Sequence, residues 1–222
     1  MPRTLDAEEI HTMSGFVHRL HRPEQPNGET VVLLHGSGGD EATLLPFAAQ
    51  VAPSALLLGA RGRILQEGVT RWYRRITPVR FDQQDIRGEA EAFAGFLLQA
   101  SAAYKLDLAR TTFLAYSNGA NLVAAMSVLH PGAVRRAVLM RSMPVLDKAR
   151  AADLAGARFL ILTGKDDRLY ARYAPALEKV LRKCRADVDG HIVQSGHEFG
   201  DEDARIAREW LAAAPEVSMK QE

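Results

Sequence analysis

The chain has 222 residues, 47% apolar and 25% charged, which predicts one soluble globular domain over residues 1–222. Its 28 Lys and Arg residues nearly balance 27 Asp and Glu residues, so its charge gives no case for nucleic acid or an anionic membrane as a partner. A single cysteine cannot form an internal disulfide, the first ten residues carry no apolar signal segment, and no apolar run approaches the roughly 20 residues that cross a bilayer. These features predict a cytoplasmic protein without stable membrane insertion.

Short apolar runs alternate with longer amphipathic stretches along the chain. Strands are predicted at 31–34, 56–58, 113–116, 137–140, 159–162 and 192–193. Helical spacing of apolar residues recurs over 86–104 and 173–184, and 122–129 is apolar nearly all round, as a buried central helix should be. Because most of these strands are continuously apolar, both of their faces should be covered. The alternation predicts an α/β fold with an open, mostly parallel sheet and helices on both faces.

A glycine-rich segment, Gly36-Ser37-Gly38-Gly39, follows the first predicted strand. Bare backbone N–H groups in such a loop can stabilise an oxyanion, and we expect the Ser37 N–H in this role with Gly38 as the reserve. The spacing fits neither a phosphate-binding loop, which needs a Lys, nor a dinucleotide fingerprint, in which Glu41 would have to be glycine. A plain tight turn is the alternative.

Residues 61–84 form the longest stretch without a clean period. Arginines crowd this segment beside two aromatic residues, at Arg61, Arg63, Arg71, Trp72, Tyr73, Arg74 and Arg75. Guanidinium groups bind carboxylates and stack on rings, so Arg71, Trp72 and Arg75 are candidates for contacts with an acidic or aromatic substrate, Trp72 foremost. The alternative is a solvated loop with internal salt bridges.

The segment Ala115-Tyr116-Ser117-Asn118-Gly119 joins a predicted strand to an apolar helix. This pattern is typical of a nucleophile elbow, in which small flanking residues let strand and helix pass closely. Ala115 stands where glycine is usual. Ser117 is the candidate nucleophile, and the Asn118 N–H at the helix start is a second candidate oxyanion donor. The alternative is that Ser117 only caps the helix.

Two further segments supply a candidate acid and base. Asp166 and Asp167 follow the buried strand 159–162, and His197 follows the last predicted strand. Asp167, three residues after Gly164, is the preferred acid, although either aspartate could instead cap a helix. The chain order Ser117, Asp167, His197 is the order in which α/β-hydrolases carry their triad.

With these motifs the sequence resembles the carboxylesterase/phospholipase branch of the α/β-hydrolases, which contains small esterases, lysophospholipases and acyl-protein thioesterases. The resemblance covers nearly the whole chain and rests on residues 34–39, 116–121, 164–167, 196–197 and 209–211. The stretch 61–82 is similar to a bacterial subgroup of carboxylesterase-like hydrolases, some associated with the breakdown of aromatic compounds. The resemblance implies an α/β-hydrolase fold without a large cap domain, and a serine esterase that needs no metal or organic cofactor.

The sequence therefore predicts cleavage of small or aromatic carboxylic esters by Ser117, Asp167 and His197, through an acyl-enzyme. Hydrolysis of lysophospholipids or acyl-protein thioesters is one alternative, and a non-catalytic binding module on the same fold is another. The expected partner is a small-molecule ester. A homodimer is plausible for a small hydrolase, but no interface can be predicted from the residues.

Overall fold

An eight-stranded sheet forms the centre of the computed structural model, which describes residues 10–148 and 152–213. The strands are β1 (Ile10–Met13), β2 (Phe16–His21), β3 (Thr30–Leu34), β4 (Leu56–Ala60), β5 (Ile64–Gln66), β6 (Val69–Arg71), β7 (Arg75–Thr77), β8 (Arg80–Phe81), β9 (Thr111–Tyr116), β10 (Arg136–Met140), β11 (Arg158–Gly164) and β12 (Asp187–Val193). The helices are α1 (Leu45–Val51), α2 (Gln83–Tyr104), α3 (Asn118–Leu129), α4 (Ala174–Lys183) and α5 (Asp201–Ala212).

The strand order in the central sheet is β1-β2-β4-β3-β9-β10-β11-β12. The six strands β4, β3, β9, β10, β11 and β12 pair in parallel. Strands β1 and β2 add an antiparallel edge beside β4. The chain runs from β3 to β4 on one side and later returns to place β9 on the other side of β3. Ligands of open α/β sheets bind where the strand order reverses in this way, beyond the carboxyl ends of the strands.

Helices cover both faces of the sheet, and residues of β3 show how the two cores form. Val32 and Leu34 pack into a core shared with α2, α3 and α4, whereas Val31 and Leu33 pack into a core shared with α1 and α5. Successive side chains of a strand point to opposite faces, so a continuously apolar strand serves both cores. The predicted α/β-hydrolase fold, with helices on both faces, is confirmed.

The structure adds elements that the periodicity did not predict. Strands β1 and β2 form a hairpin closed by Ser14 and Gly15, both at positive φ (52° and 78°). The segment 61–84 is not irregular throughout, because β5 pairs with β6 and β7 with β8 in two small antiparallel sheets. Among the described helices, none is long and apolar enough to span a membrane.

Candidate active site

Ser117 lies on a sharp turn between β9 and α3, directly beyond the point where the strand order reverses. Its backbone adopts φ 50° and ψ −113°, a conformation that is costly for a residue with a side chain. Gly119 permits the close approach that follows, because a Cβ there would lie 2.5 Å from the Leu34 carbonyl oxygen. The turn forms although Ala115 replaces the usual glycine, and Ala115 is fully buried in β9. This geometry matches a nucleophile elbow.

His197 lies between Ser117 and Asp167 in hydrogen-bonding contact with both. Its Nε2 is 3.0 Å from Ser117 Oγ, and its Nδ1 is 2.7 Å from Asp167 Oδ2. The rings of Tyr116 and Tyr170 lie within 5.4 Å and 5.0 Å of the imidazole, centroid to centroid. Burial raises the pKa of Tyr116 to about 12, so its hydroxyl stays protonated and donates to the His197 carbonyl at 3.1 Å. The structure thus brings together the three residues predicted as a triad.

The two neighbouring aspartates have different surroundings. Asp167 is buried (6% exposed), and its Oδ1 also accepts the Tyr170 N–H at 3.0 Å. Asp166 is exposed, and only its backbone N–H reaches the histidine loop, donating to Ser195 O. An aspartate that orients an imidazole is normally buried and hydrogen-bonded to its Nδ1–H. The geometry therefore favours Asp167 over Asp166.

The candidate oxyanion donors lie beside Ser117, at the ends of β3 and β9. Asn118 begins α3, and the first N–H groups of a helix have no partner within it. The Ser37 N–H donates to no described residue, whereas the Gly38 N–H donates to the Thr70 carbonyl at 2.8 Å. Ser37 is therefore the freer donor of the two glycine-loop candidates. Its role, and that of Asn118, stays a prediction.

Trp72 does not line the cleft, so the structure corrects the prediction of a substrate contact there. Its indole is fully buried against Phe16, Phe93 and His35, because the short strand pairs of segment 61–84 turn it into the core. Its Nε1 donates to the His35 carbonyl at 2.9 Å, and its backbone N–H donates to Asn118 Oδ1 at 2.7 Å. Trp72 thus holds the glycine loop and the start of α3 from behind.

The five arginines of residues 61–75 fall into two groups. Arg61 pairs with Glu41, Arg63 with Glu89 and Arg74 with Asp85. These three arginines form the internal salt bridges that were the alternative to substrate contacts. Arg71 and Arg75 instead line the cleft in front of Ser117, which comprises about 360 Å³ of space including the part open to solvent. Further lining residues are Ser37, Tyr73, Pro78, Phe81, Asn118, Asn121, Arg141, Met143 and Tyr170.

Arg141, which the sequence did not single out, fixes the loop that carries His197. Its fully buried guanidinium pairs with Asp203 through two hydrogen bonds of 2.7 and 2.9 Å. It also donates to the carbonyls of Gly196 (3.0 Å) and Glu198 (2.6 Å), on either side of the histidine. The available signal was a charged residue directly after a buried strand, at the ligand-binding edge of the sheet.

We expect Arg141→Met to lower both stability and activity, because it leaves the Asp203 carboxylate buried without its partner. Breaking a buried ion pair costs about 3–5 kcal/mol. Loss of the donors to the histidine loop should displace the imidazole and lower kcat by as much as about 100-fold. Urea unfolding and kcat for nitrophenyl acetate measure the two effects.

The double variant Arg141→Met/Asp203→Leu separates these effects. It removes the stranded charge and should regain part of the lost stability, because Asp203 Oδ2 also accepts the Gly200 N–H at 2.9 Å and that cap is lost. The loop carbonyls still lack their donors, so kcat should stay low. Recovery of wild-type kcat in the double variant would show that Arg141 does not position His197.

His35 is a buried histidine behind the glycine loop. Its Nδ1 contacts the Gly36 carbonyl at 2.6 Å, and its Nε2 accepts the Gly62 N–H at 2.9 Å, so the geometry fits a neutral ring with the proton on Nδ1. Burial lowers the pKa of His35. A second proton, on Nε2, would remove the acceptor of the Gly62 N–H and bring two N–H donors against each other.

The free energy of unfolding should therefore depend on pH through His35. Below about pH 6.5, the ordinary pKa of histidine, His35 is protonated in the unfolded chain but stays neutral in the native state. The free energy of unfolding therefore falls as the pH is lowered from about 6.5 towards the native pKa of His35. The contribution is up to about 1.4 kcal/mol per pH unit in that window. Urea unfolding at several pH values should give a smaller pH slope for His35→Gln than for the wild type. Equal slopes would contradict this assignment.

The chain is similar over most of its length to solved carboxylesterases, although no protein-family model matches it. A carboxylesterase of Mesorhizobium loti is 49% identical, with 93% of this chain and 99% of that one covered and a TM-score of 0.90. A carboxylesterase of Bacillus cereus is 30% identical, with 88% and 93% covered and a TM-score of 0.84. MhqD of Bacillus subtilis, which is named as a hydrolase, is 30% identical over 185 residues, or 83% of this chain and 92% of MhqD.

Proposed function

Because the chain belongs to the carboxylesterases of the α/β-hydrolase fold and is a hydrolase, we propose that it cleaves small or aromatic carboxylic esters through an acyl-enzyme on Ser117. The observation that carries the proposal is the continuous contact from Ser117 Oγ through His197 to Asp167, at 3.0 and 2.7 Å. A hydroxyl beside an oriented imidazole is the arrangement that activates a serine nucleophile.

In this proposal His197 Nε2 accepts the Ser117 proton while Oγ attacks the ester carbonyl. The negative charge that develops on the carbonyl oxygen is stabilised by the N–H groups of Ser37 and Asn118. His197 then donates the proton to the leaving alcohol, and the acyl group remains on Ser117. Water, deprotonated by His197, releases the acid, while Asp167 holds the ring and stabilises its cationic form.

The cleft supports a small substrate. Its walls combine aromatic and apolar side chains, such as Tyr73, Phe81 and Met143, with the polar groups around Ser117. Arg71 and Arg75 are proposed substrate contacts, since both reach this space. Because the cleft comprises only about 360 Å³ including the part open to solvent, a short acyl group or an aromatic ring fits it better than a long lipid chain.

Partition of the acyl group between water and methanol tests for the acyl-enzyme. Ethyl, phenyl and nitrophenyl esters of one acid should give the same ratio of methyl ester to free acid, because all three pass through the same intermediate. A ratio that changes with the leaving alcohol would indicate direct attack by water and contradict the proposal.

Lysophospholipid or acyl-protein thioester hydrolysis remains the second candidate. The observation in its favour is a separate apolar pocket, about 320 Å³ including the part open to solvent, which is lined by residues such as Val128, Pro144, Leu146 and Leu177. A series of nitrophenyl esters from acetate to palmitate distinguishes the candidates. We expect kcat/KM to fall with chain length, and a maximum at long chains would favour the second candidate.

We also propose a cytoplasmic location and a small-molecule ester as the partner, with no nucleic acid and no stable membrane insertion. The support is the single cysteine, Cys184, which is buried beside α4, and the near balance of charges. A homodimer is also proposed, because closed twofold dimers are the commonest oligomers of soluble proteins. Size-exclusion chromatography with light scattering would test it.

A further inference from the structure

Arg71 is a buried cation for which the described part of the chain provides no counterion. Its side chain lies at the wall of the cleft with only 4% of the residue exposed. It uses Nη1 to donate to Ser37 Oγ at 2.7 Å, while its Nε is buried without a hydrogen-bond partner. Within residues 10–148 and 152–213 no carboxylate forms an ion pair with it. Since a guanidinium has five N–H donors and stays charged in proteins, most of its binding capacity is unused.

Three neighbouring arginines have different surroundings from the buried Arg71. Arg61, Arg63 and Arg74 in the same segment each have a carboxylate partner. Removing an unpaired charge from water is costly, so a buried arginine is normally paired. An unpaired buried arginine in a substrate cleft is therefore a candidate for pairing with the ligand.

The charges around the cleft also favour an anionic ligand. The described lining residues include three arginines and no carboxylate, and the third arginine, Arg141, is already paired with Asp203. Burial lowers the pKa of Arg71 and so does the nearby Arg75, while Glu67, which is exposed and outside the lining, acts in the opposite direction. The cleft thus carries a positive charge that a substrate anion would neutralise.

We propose that Arg71, assisted by Arg75, binds an ionised carboxylate on the substrate, so that the preferred esters are those that carry a second, free carboxyl group. This inference rests on the proposed esterase function and names its substrate class. The planar guanidinium fork matches a carboxylate through two parallel hydrogen bonds, which gives orientation as well as affinity. Because Arg71 contacts Ser37, a carboxylate held there lies close to the oxyanion site and Ser117.

Matched ester pairs test the proposal. Monomethyl glutarate against dimethyl glutarate places the carboxylate on the acyl side, and para-acetoxybenzoate against its methyl ester places it on the alcohol side. For at least one pair we expect kcat/KM to favour the anion by about 10–100-fold, the range of a hydrogen bond to a charged group. In Arg71→Met that preference should fall about 10-fold or more. The ratio within a pair cancels any effect of Arg71 that acts through Ser37.

Two variants serve as controls. Arg74→Met removes an exposed arginine of the same segment that is paired with Asp85 and lies outside the cleft, and it should keep the wild-type preference. Ser37→Ala removes the hydroxyl that Arg71 contacts but keeps the backbone N–H, and it should keep the preference for the anion. A wild type without preference for either anion, or an equal preference in Arg71→Met, would overturn the inference.

A binding measurement separates this inference from the proposed function. Calorimetry on Ser117→Ala should show monomethyl glutarate or para-acetoxybenzoate binding about 10-fold or more tightly than its neutral ester, and the difference should vanish in Ser117→Ala/Arg71→Met. This result needs no turnover. Turnover of neutral esters without anion selectivity in binding or catalysis would sink the inference alone, whereas selective binding without turnover would sink only the esterase proposal.

Discussion

Replacing Ser117 with alanine is expected to lower kcat for nitrophenyl acetate by about 10⁴-fold or more. The variant lacks the atom that attacks the carbonyl, and His197 Nε2, 3.0 Å away in the wild type, loses its proton donor. A residual rate above that in buffer is expected, because the candidate oxyanion donors and the cleft remain. Steady-state kinetics on protein purified free of host esterases measures the change.

Ser101→Ala is the matched control for this variant. Ser101 lies in α2, where its hydroxyl donates to the Leu98 carbonyl, and it is not among the cleft residues. Its kcat should equal that of the wild type. A Ser117→Ala protein with kcat within about 10-fold of the wild type would contradict the assigned nucleophile.

Replacing Asp167 with asparagine is expected to lower kcat by about 10³–10⁴-fold with little effect on KM. The amide can donate to His197 Nδ1 and so favours the ring tautomer that carries its proton on Nε2. That tautomer cannot accept the Ser117 proton, and the neutral amide no longer stabilises the imidazolium. Steady-state assays of nitrophenyl acetate hydrolysis over a range of pH measure the loss of kcat.

The adjacent Asp166→Asn variant is the control, since it makes the same chemical change one residue away. Asp166 is exposed, and its side chain forms no hydrogen bond with a described residue, so kcat should stay within about 2-fold of the wild type. A large loss of kcat in Asp166→Asn with little loss in Asp167→Asn would contradict the assignment and show that Asp166 is the acid.

The strands of the sheet centre could be predicted because burial on both faces requires continuous apolar runs. All five residues of β3 are buried, and the predicted segment 31–34 differs from it by one residue. The edge strands could not be predicted in this way. β12 is mostly exposed and carries Asp189 and Gly190, so only its last two residues were identified. The hairpin of β1 and β2 had one usable signal, the Ser14-Gly15 pair, which allows positive φ at both turn positions.

The triad could be placed because each member follows a strand end, and parallel strands bring their carboxyl ends to one edge of the sheet. Arg141 and Trp72 show where this reasoning stops. The role of Arg141 depends on the path of a loop 55 residues later in the chain, which no local pattern encodes. Trp72 was misassigned because an aromatic residue among arginines resembles a pocket wall, whereas its burial depends on contacts with Phe16 and Phe93.

Labelling with a fluorophosphonate probe tests the central claim most directly, because the probe reacts with an activated serine whatever the natural ester is. The purified protein would be treated with the probe, digested and mapped by mass spectrometry beside Ser117→Ala. We predict one adduct per chain, on Ser117, and no adduct in the variant. An unlabelled folded protein, or an adduct on another serine, would contradict the proposed acyl-enzyme mechanism.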